Sequence, residues 1–486
     1  GDHLVLVERS DQAPGPAPDT GGSGRSDLAE VIERHRIGLD ASRPDAVARR
    51  HSAGRRTARE NVADLVDDDS FIEFGPLAIA AQRRRREEAE LIERTPADGL
   101  IGGVATINAD RYGPDATECV VASYDYTVLA GTQGMTNHLK KDRLFDLAAR
   151  RGLPVILYTE GGGGRPGDVD MSGVSWLDCR AFALFGALAG TVPLIRLNTG
   201  YCFAGNAALL ASCDVVIATL DSNIGMAGPA MIEGGGMGTF EPTDIGPADV
   251  HVTNGLIDLL VADEVEATDA AKRLLGFTQG VDVDWSAPDP EHLRTAVPAD
   301  RLRVYDMHEV LAGLVDTDSQ LELRPTWNPG IITLFARIEG HPLGIIANNP
   351  VHLSGAIDHG AARKSAEFME LCDRWDIPIL FLCDTPGFMV GPESDAEGLP
   401  GSAGALFRSG ANLRVPYGTV VTRKCYGLGA QAMMGGGLKQ PLFAISWPTG
   451  EFGPMGLEGA VRLGFAQELA RAGNRHDELF DELVDA

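Results

Sequence analysis

The pattern of apolar and polar positions changes character near residue 100. Before it, Leu28, Val31 and Ile32, then Ala58, Val62 and Leu65, fall at helical spacing among many charges and predict one or two surface helices over 26–67. After it, short apolar runs follow one another closely. Residues 100–107 and 118–124, separated by Gly113-Pro114, predict a hairpin. Residues 331–338 and 343–348 predict a second, across Glu339-Gly340-His341-Pro342. Val155-Ile156-Leu157-Tyr158 predicts a buried strand, and glycines 161–164 follow it after only Thr159 and Glu160. A strand that ends in bare backbone lets main-chain N–H groups approach a ligand closely, which suits phosphate, carboxylate or a developing oxyanion.

The same arrangement recurs. Pro378 leads an apolar strand through Cys383 into Asp384-Thr385-Pro386-Gly387, and it lies 224 positions after Pro154. Gly131 and Gly355 share that offset, as do Lys140 and Lys364, each lysine on a predicted helix leading into its strand. Val192-Pro193 returns as Val415-Pro416 at 223, followed by the small-residue segments 200–205 and 425–429. Matched spacings over about seventy residues indicate an internal duplication. The chain of 486 residues then divides into a lead at 1–25, one domain over 26–285 and another over 291–486. The lead, rich in Pro, Gly, Ser and Asp, is expected to be disordered. Residues 282–290 read as a linker, 294–314 as a bridging helical stretch and 458–485 as acidic helix.

Charge and cysteines narrow the function. A balance of 42 basic against 69 acidic residues, net −27, argues against nucleic-acid binding. Arg83-Arg84-Arg85-Arg86, followed by Glu87 and Glu88, reads as a solvated, self-paired helix. The absence of a long apolar run and the polar start Gly1-Asp2-His3 predict neither a membrane span nor a signal peptide. Seven scattered cysteines without a C-x-x-C pair suggest thiols in a reducing cytoplasm, with no disulfide frame or zinc site. His352 and His359 lack a third ligand, so no metal is expected. Gly162-Gly163-Gly164-Arg165-Pro166-Gly167 satisfies G-x-G-x-x-G, but it lies mid-chain, Pro166 to Asp170 would open a helix poorly, and Asp178 falls where a helix should run. Cys202 and Cys425 show no partner base, which disfavours a nucleophile. Chemistry done by backbone remains: two pairs of N–H donors, one per domain.

Five segments then carry a resemblance: Gly54-Arg55-Arg56-Thr57-Ala58-Arg59-Glu60, residues 124–132, residues 228–236, Asp384-Thr385-Pro386-Gly387-Phe388-Met389-Val390-Gly391, and residues 426–433. In these motifs and their order the sequence resembles the carboxyltransferase (beta) subunit of biotin-dependent acyl-CoA carboxylases, of the propionyl-CoA carboxylase beta type. The resemblance implies an α/β fold of two tandem crotonase-like domains (ClpP/crotonase ββα spirals), the first on the acyl-CoA side and the second on the biotin side. It implies that CO2 passes from carboxybiotin to the α-carbon of an acyl-CoA through an enolate, with biotin carried on a separate subunit beside biotin carboxylase. Amides at Ala204 and Gly205 would hold the enolate oxygen, and those at Leu428 and Gly429 the ureido oxygen. Gly162, Gly163, Gly164, Arg165 and Phe203 would face the CoA thioester, with Arg165 either contacting carboxylate or phosphates or forming a structural salt bridge. Gly387, Phe388, Tyr426, Gly427 and Gln431 would face biotin. A dimer-built homo-oligomer, a hexamer, is expected, since the family sets the first domain of one subunit against the second of another. Pro400-Gly401-Ser402-Ala403-Gly404 replaces the Arg-His pair that follows Gly-Leu in relatives, which removes charge and predicts flexibility there. That departure leaves a biotin-independent acyl-CoA lyase or hydrolase, or a non-catalytic subunit, as alternatives.

Overall fold

The computed structural model describes residues 26–170 and 179–485; the expected lead at 1–25 and the reading of Asp178 lie outside the described residues. Two sheets dominate it. The first runs in the order β1 (Ile72–Glu73), β2 (Leu100–Thr106), β3 (Glu118–Tyr124), β4 (Val155–Tyr158), β5 (Leu194–Asn198), β7 (Val215–Thr219), β9 (Leu259–Val261). The β2–β3 hairpin is antiparallel, with Leu100 opposite Tyr124, and every pairing from β3 onward is parallel. β6 (Tyr201–Phe203) and β8 (Asn223–Gly225) form a separate parallel pair.

The second sheet repeats the scheme with β10 (Leu321–Leu323), β11 (Ile331–Ile338), β12 (His341–Asn348), β13 (Ile379–Thr385), β14 (Tyr417–Tyr426) and β15 (Ala444–Ser446). Here β14 is long enough to serve twice. Thr419–Val421 pair with β15, while Lys424–Tyr426 pair with β16 (Glu451–Gly453) as β6 pairs with β8. The β11–β12 turn is only Glu339-Gly340, both at positive φ (51° and 76°), so His341 and Pro342 belong to the strand.

The 224-residue offset holds in the backbone around each glycine turn. Leu129-Ala130-Gly131 and Leu353-Ser354-Gly355 each take three successive left-handed conformations. A Cβ on Gly131 would collide with the carbonyl oxygen of Glu160, and one on Gly355 with that of Asp384, so only glycine fits either position. Lone backbone bridges join Gln133 to Gly164 and Ile357 to Phe388. Lys140 and Lys364 are buried on their helices, Met135–Arg151 and His359–Arg374. Lys140 Nζ donates to the carbonyls of Ala97 and Leu100, and Lys364 Nζ to those of Arg324 and Ile331 at 2.8 Å each. Each lysine therefore pins the first strand of its hairpin.

The halves share one core. The helix Glu264–Gly276, capped by the Asp263 carboxylate, buries Ala267, Ala271, Leu274 and Leu275 in a cluster that contains Ile156 and Ile195 of the first sheet and Phe335, Ile346 and Phe381 of the second. Phe277 stacks on Phe335 (centroids 5.4 Å apart), which stacks nearly parallel on Trp375 (5.6 Å, 4°).

Several expectations change. The segment 26–67 holds three α-helices, and the third, Ala58–Leu65, is an interior element, set by a Thr57/Glu60 capping box and burying Ala58, Val62 and Leu65. The arginine run pairs with acids, Arg83 with Glu88 as expected and Arg86 with Glu90 further on, but it is a turn, and the helix starts at Glu88. The linker is clamped: Asp282 is buried, ion-paired to Arg111, and its N–H donates to Gly340 O at 3.0 Å. The bridging stretch is helical only at Leu293–Ala296 and Met307–Leu314. Residues 400–404 are not loose: they lie in the helix Leu399–Ala411, where Pro400 occupies the first turn it favours and Ser402 Oγ donates to Leu399 O. No described helix is long and apolar enough to cross a membrane.

Because the core is common, Phe335→Ala should lower stability by about 3–5 kcal/mol, and calorimetry should show both halves melting in one transition. Burial lowers the Lys364 amine to about 8. Between that pH and the free-lysine value of about 10.4 the unfolded chain binds more protons, so the stability that Lys364 contributes grows as pH rises through this window. Denaturant titrations of wild type and Lys364→Met should therefore diverge from pH 7 to pH 10.

Candidate active site: two backbone cradles

After β4 the chain passes through Thr159 and Glu160 into the glycines. Glu160 is buried and takes a two-pronged ion pair from Arg50 (2.7 and 3.0 Å). Gly162 N–H donates to Ala130 O (3.0 Å) and Gly163 N–H to Asn206 Oδ1 (3.2 Å), so both amides are consumed internally. Gly163 O and Arg165 N bond the two sides of Gln133, at 2.6 and 2.9 Å. Gly164, exposed between them, has no backbone partner for its N–H among the described residues. The facing element is the turn from β6 into the helix Gly205–Ala211. Its hinge, Ala204, is strained (φ 52°, ψ −119°), and an added Cβ on Gly163 would sit 2.7 Å from the Ala204 Cβ.

Two expectations are corrected here. The Ala204 N–H donates to Gly225 O at 2.9 Å, bound by the neighbouring strand, and cannot serve an incoming oxygen. Gly205 opens its helix, where geometry leaves the N–H unpaired, so the open amides of this cradle are Gly164 and Gly205. Of the two roles open to Arg165, the geometry supplies the structural one. It is 5% exposed, with Nη1 2.6 Å from Asp98 Oδ1 and 3.4 Å from Asp168 Oδ1, and Nη2 donates to Thr132 O. Phe203 is likewise buried, stacked on Tyr201 and lying under Gly225 and Gly228.

The second cradle copies the first. Gly387 (φ 123°) follows β13; its carbonyl accepts from Ile357 N (3.0 Å), and Met389 N donates to Ile357 O (2.9 Å), leaving the Phe388 N–H between them. The counterpart of strained Ala204 is Gly427 (φ 58°), 223 positions on, so Gly205 corresponds to Leu428 and Asn206 to Gly429. Leu428 is 61% exposed at the start of the helix Gly427–Ala432, while Gly429 packs so tightly that a Cβ would lie 2.7 Å from Gly387 Cα. Tyr426 is buried with its hydroxyl on Glu451, and Gln431 is half-buried on the helix. Behind this cradle Asp384, fully buried, meets Arg423 and Lys424, each at 3.2 Å, as Glu160 meets Arg50 behind the other.

Neither cysteine beside the cradles is placed to act as a nucleophile. Cys202 is fully buried with its thiol pushed up to about 12 by desolvation, and Cys425 is 4% exposed. His352 faces Asp358 at 3.8 Å, and no cluster able to hold a metal occurs among the described residues. What the arrangement offers is hydrogen-bond donation to two oxygens.

A family model described as the carboxyl transferase domain matches residues 49–483. The chain belongs to the carboxyl transferase domain family. It is 31% identical over 489 residues to the propionyl-CoA carboxylase beta chain of Saccharopolyspora erythraea, covering 96% of this chain and 86% of that one. Among solved structures, a single-chain, multi-domain long-chain acyl-CoA carboxylase superposes with a TM-score of 0.90 at 55% identity over 95% of this chain. This chain spans about half of that protein, 46%. The transcarboxylase 12S hexamer, solved with methylmalonyl-CoA and methylmalonic acid, superposes with a TM-score of 0.82 at 29% identity, over 96% of this chain and 88% of that one. The expected crotonase-like tandem is thus the fold of this carboxyl transferase.

Sequence reading missed Gln133 and Asn206, the side chains that hold the first cradle, and the Gly225 carbonyl that consumes the Ala204 amide. A signal for Asn206 was present: it breaks an otherwise small, apolar helix start, Gly205-Asn206-Ala207-Ala208. Removing Arg165 would leave Asp98 and Asp168 buried without their cation. Arg165→Met should therefore cost about 3–5 kcal/mol of stability in thermal or denaturant melts, and the salt dependence of acyl-CoA binding should be unchanged.

Proposed function

We propose that this chain is the carboxyltransferase component of a biotin-dependent acyl-CoA carboxylase, transferring CO2 to the α-carbon of an acyl-CoA. The observation that carries the reading is the duplicated amide cradle inside a carboxyl transferase domain. Residues 26–285 take the acyl-CoA side. There the N–H groups of Gly164 and Gly205 receive the thioester oxygen as it gains negative charge on loss of the α-proton. Such donors contribute about 2.7–4 kcal/mol each to a transition state when fixed in advance. Residues 291–486 take the biotin side, where the open N–H of Phe388 and those of Leu428 and Gly429 at the helix start face a ureido oxygen beside Gly387, Tyr426, Gly427 and Gln431. The fit is chemical: loss of CO2 would leave an electron pair spread onto the ureido oxygen, which fixed N–H donors can stabilise, and Arg423 and Lys424 behind this cradle are already tied to Asp384. Carboxybiotin, carried outside these 486 residues beside a biotin carboxylase, supplies the CO2, and its ring nitrogen supplies the base.

A cleft of about 610 Å³ within one chain is lined by Tyr112, Trp285 and Arg337 and by no cradle residue. The reading joins the first cradle of one copy to the second cradle of another, in a hexamer like that of the transcarboxylase 12S. A long acyl chain is favoured by the 55% identity to a long-chain acyl-CoA carboxylase. Seven unpaired thiols suit a reducing cytoplasm.

The test is decarboxylation of α-carboxylated acyl-CoA thioesters of graded chain length by purified protein, with and without biotin. Turnover that needs biotin is expected, and turnover in its rigorous absence would overturn the reading in favour of a lyase. Gly164→Pro deletes one donor where there is open space around the residue. It should lower kcat about 10²–10³-fold with KM for acyl-CoA little changed.

A further inference from the structure

We propose that Asn206 is a positioning residue that sets the spacing of the two open amides in the first cradle; the inference rests on the carboxyltransferase reading of that cradle. Asn206 is completely buried and its side-chain amide is fully used. Its Oδ1 accepts from Gly163 N (3.2 Å) and from Gln133 Nε2 (3.1 Å). Its Nδ2 donates to Gly131 O (3.4 Å) and Thr159 O (3.3 Å). One side chain thus ties together the left-handed turn, the end of the central strand and the glycine loop, and it is the residue directly after Gly205. Gln133 completes the frame. Its backbone holds Gly163 and Arg165 on either side of Gly164, and its side chain lies 3.1 Å from where a Gly205 Cβ would be.

The second half shows that the fold does not require this hub. Its counterpart position is Gly429, which packs against the backbone of Gly387 and Phe388, and the Gly387 N–H, the counterpart of that of Gly163, donates to the nearby Thr385 Oγ1 at 3.2 Å. The halves close in the same geometry by different means: one buried side-chain amide with four partners in the first, and close backbone packing with separate hydrogen bonds to Thr385 and Asn348 in the second. A single buried amide with four partners couples the segments directionally, so it fixes the amides of Gly164 and Gly205 relative to each other more tightly than packing with separate bonds would. That matters on the side where charge develops, because a displacement of about 1 Å from the productive geometry costs about 10²-fold in rate.

The experiment compares wild type with Asn206→Ala and Asn206→Asp in the assembled, biotin-supplied enzyme. For Asn206→Ala, kcat should fall about 10²-fold with KM for acyl-CoA nearly unchanged. Asn206→Asp, whose carboxylate would face the carbonyls of Gly131 and Thr159, should lose activity at pH 8 and regain part of it toward pH 6 as protonation restores a donor. Unchanged kcat, or a loss confined to KM, overturns the proposal. If Asn206→Ala does not fold, Asn206→Ser is read in the same assays. The underlying reading is tested separately with a CoA thioether ending in a nitronate, an enolate mimic. Wild type should bind it more tightly than the uncharged nitroalkane parent, and Asn206→Ala should lose that preference. No preference in wild type defeats the oxyanion reading itself; a preference that survives in Asn206→Ala defeats only the role of Asn206.

Discussion

Each half of this protein depends on one close approach: a left-handed turn pressed against the carbonyl that ends the central strand. Gly131 meets the carbonyl of Glu160, and Gly355 meets that of Asp384, with no room for a methyl group at either contact. The approach allows the bridges from Gln133 to Gly164 and from Ile357 to Phe388, and those bridges consume the hydrogen-bonding groups on both sides of one amide while leaving that amide open. The reactive surface is therefore what is left after the backbone has satisfied itself. It is rigid because its neighbours are fully bonded.

Charge is managed behind this surface. An acid closes the central strand in both halves, and an unpaired carboxylate there would oppose negative charge on a nearby oxygen. Glu160 is matched by Arg50, and Asp384 by Arg423 and Lys424. Asp98 and Asp168 hold Arg165 in the same way, which removes a cation from the cleft and makes it part of the frame. In a chain of net charge −27, local neutralisation is what lets neutral N–H donors determine the electrostatics of the site.

The duplication has not left two equal halves. The strained hinge is alanine in one and glycine in the other, and the hub is Asn206 in one and bare Gly429 in the other. The strand that leads into the hinge is split in two in the first half, as β5 and β6, and continuous in the second, as β14. The pair is nevertheless bound into one body by the Phe277, Phe335 and Trp375 stack.

The sequence by itself determined the duplication, the hairpins, the buried strands, the positions where only glycine fits, and through its motifs the carboxyl transferase family. These depend on local identity: a period, a missing Cβ, a proline before a strand. The tertiary structure decided which amides stay open, because the partner that takes the Ala204 N–H is the carbonyl of Gly225, on a strand that sequence spacing does not assign to it. It also decided that Arg165 is structural, that residues 400–404 are helical and that the linker is clamped. In each case the outcome is set by a neighbour distant in the chain. A residue's type fixes what it can bond to, and only the assembled fold fixes what is left for it to bond.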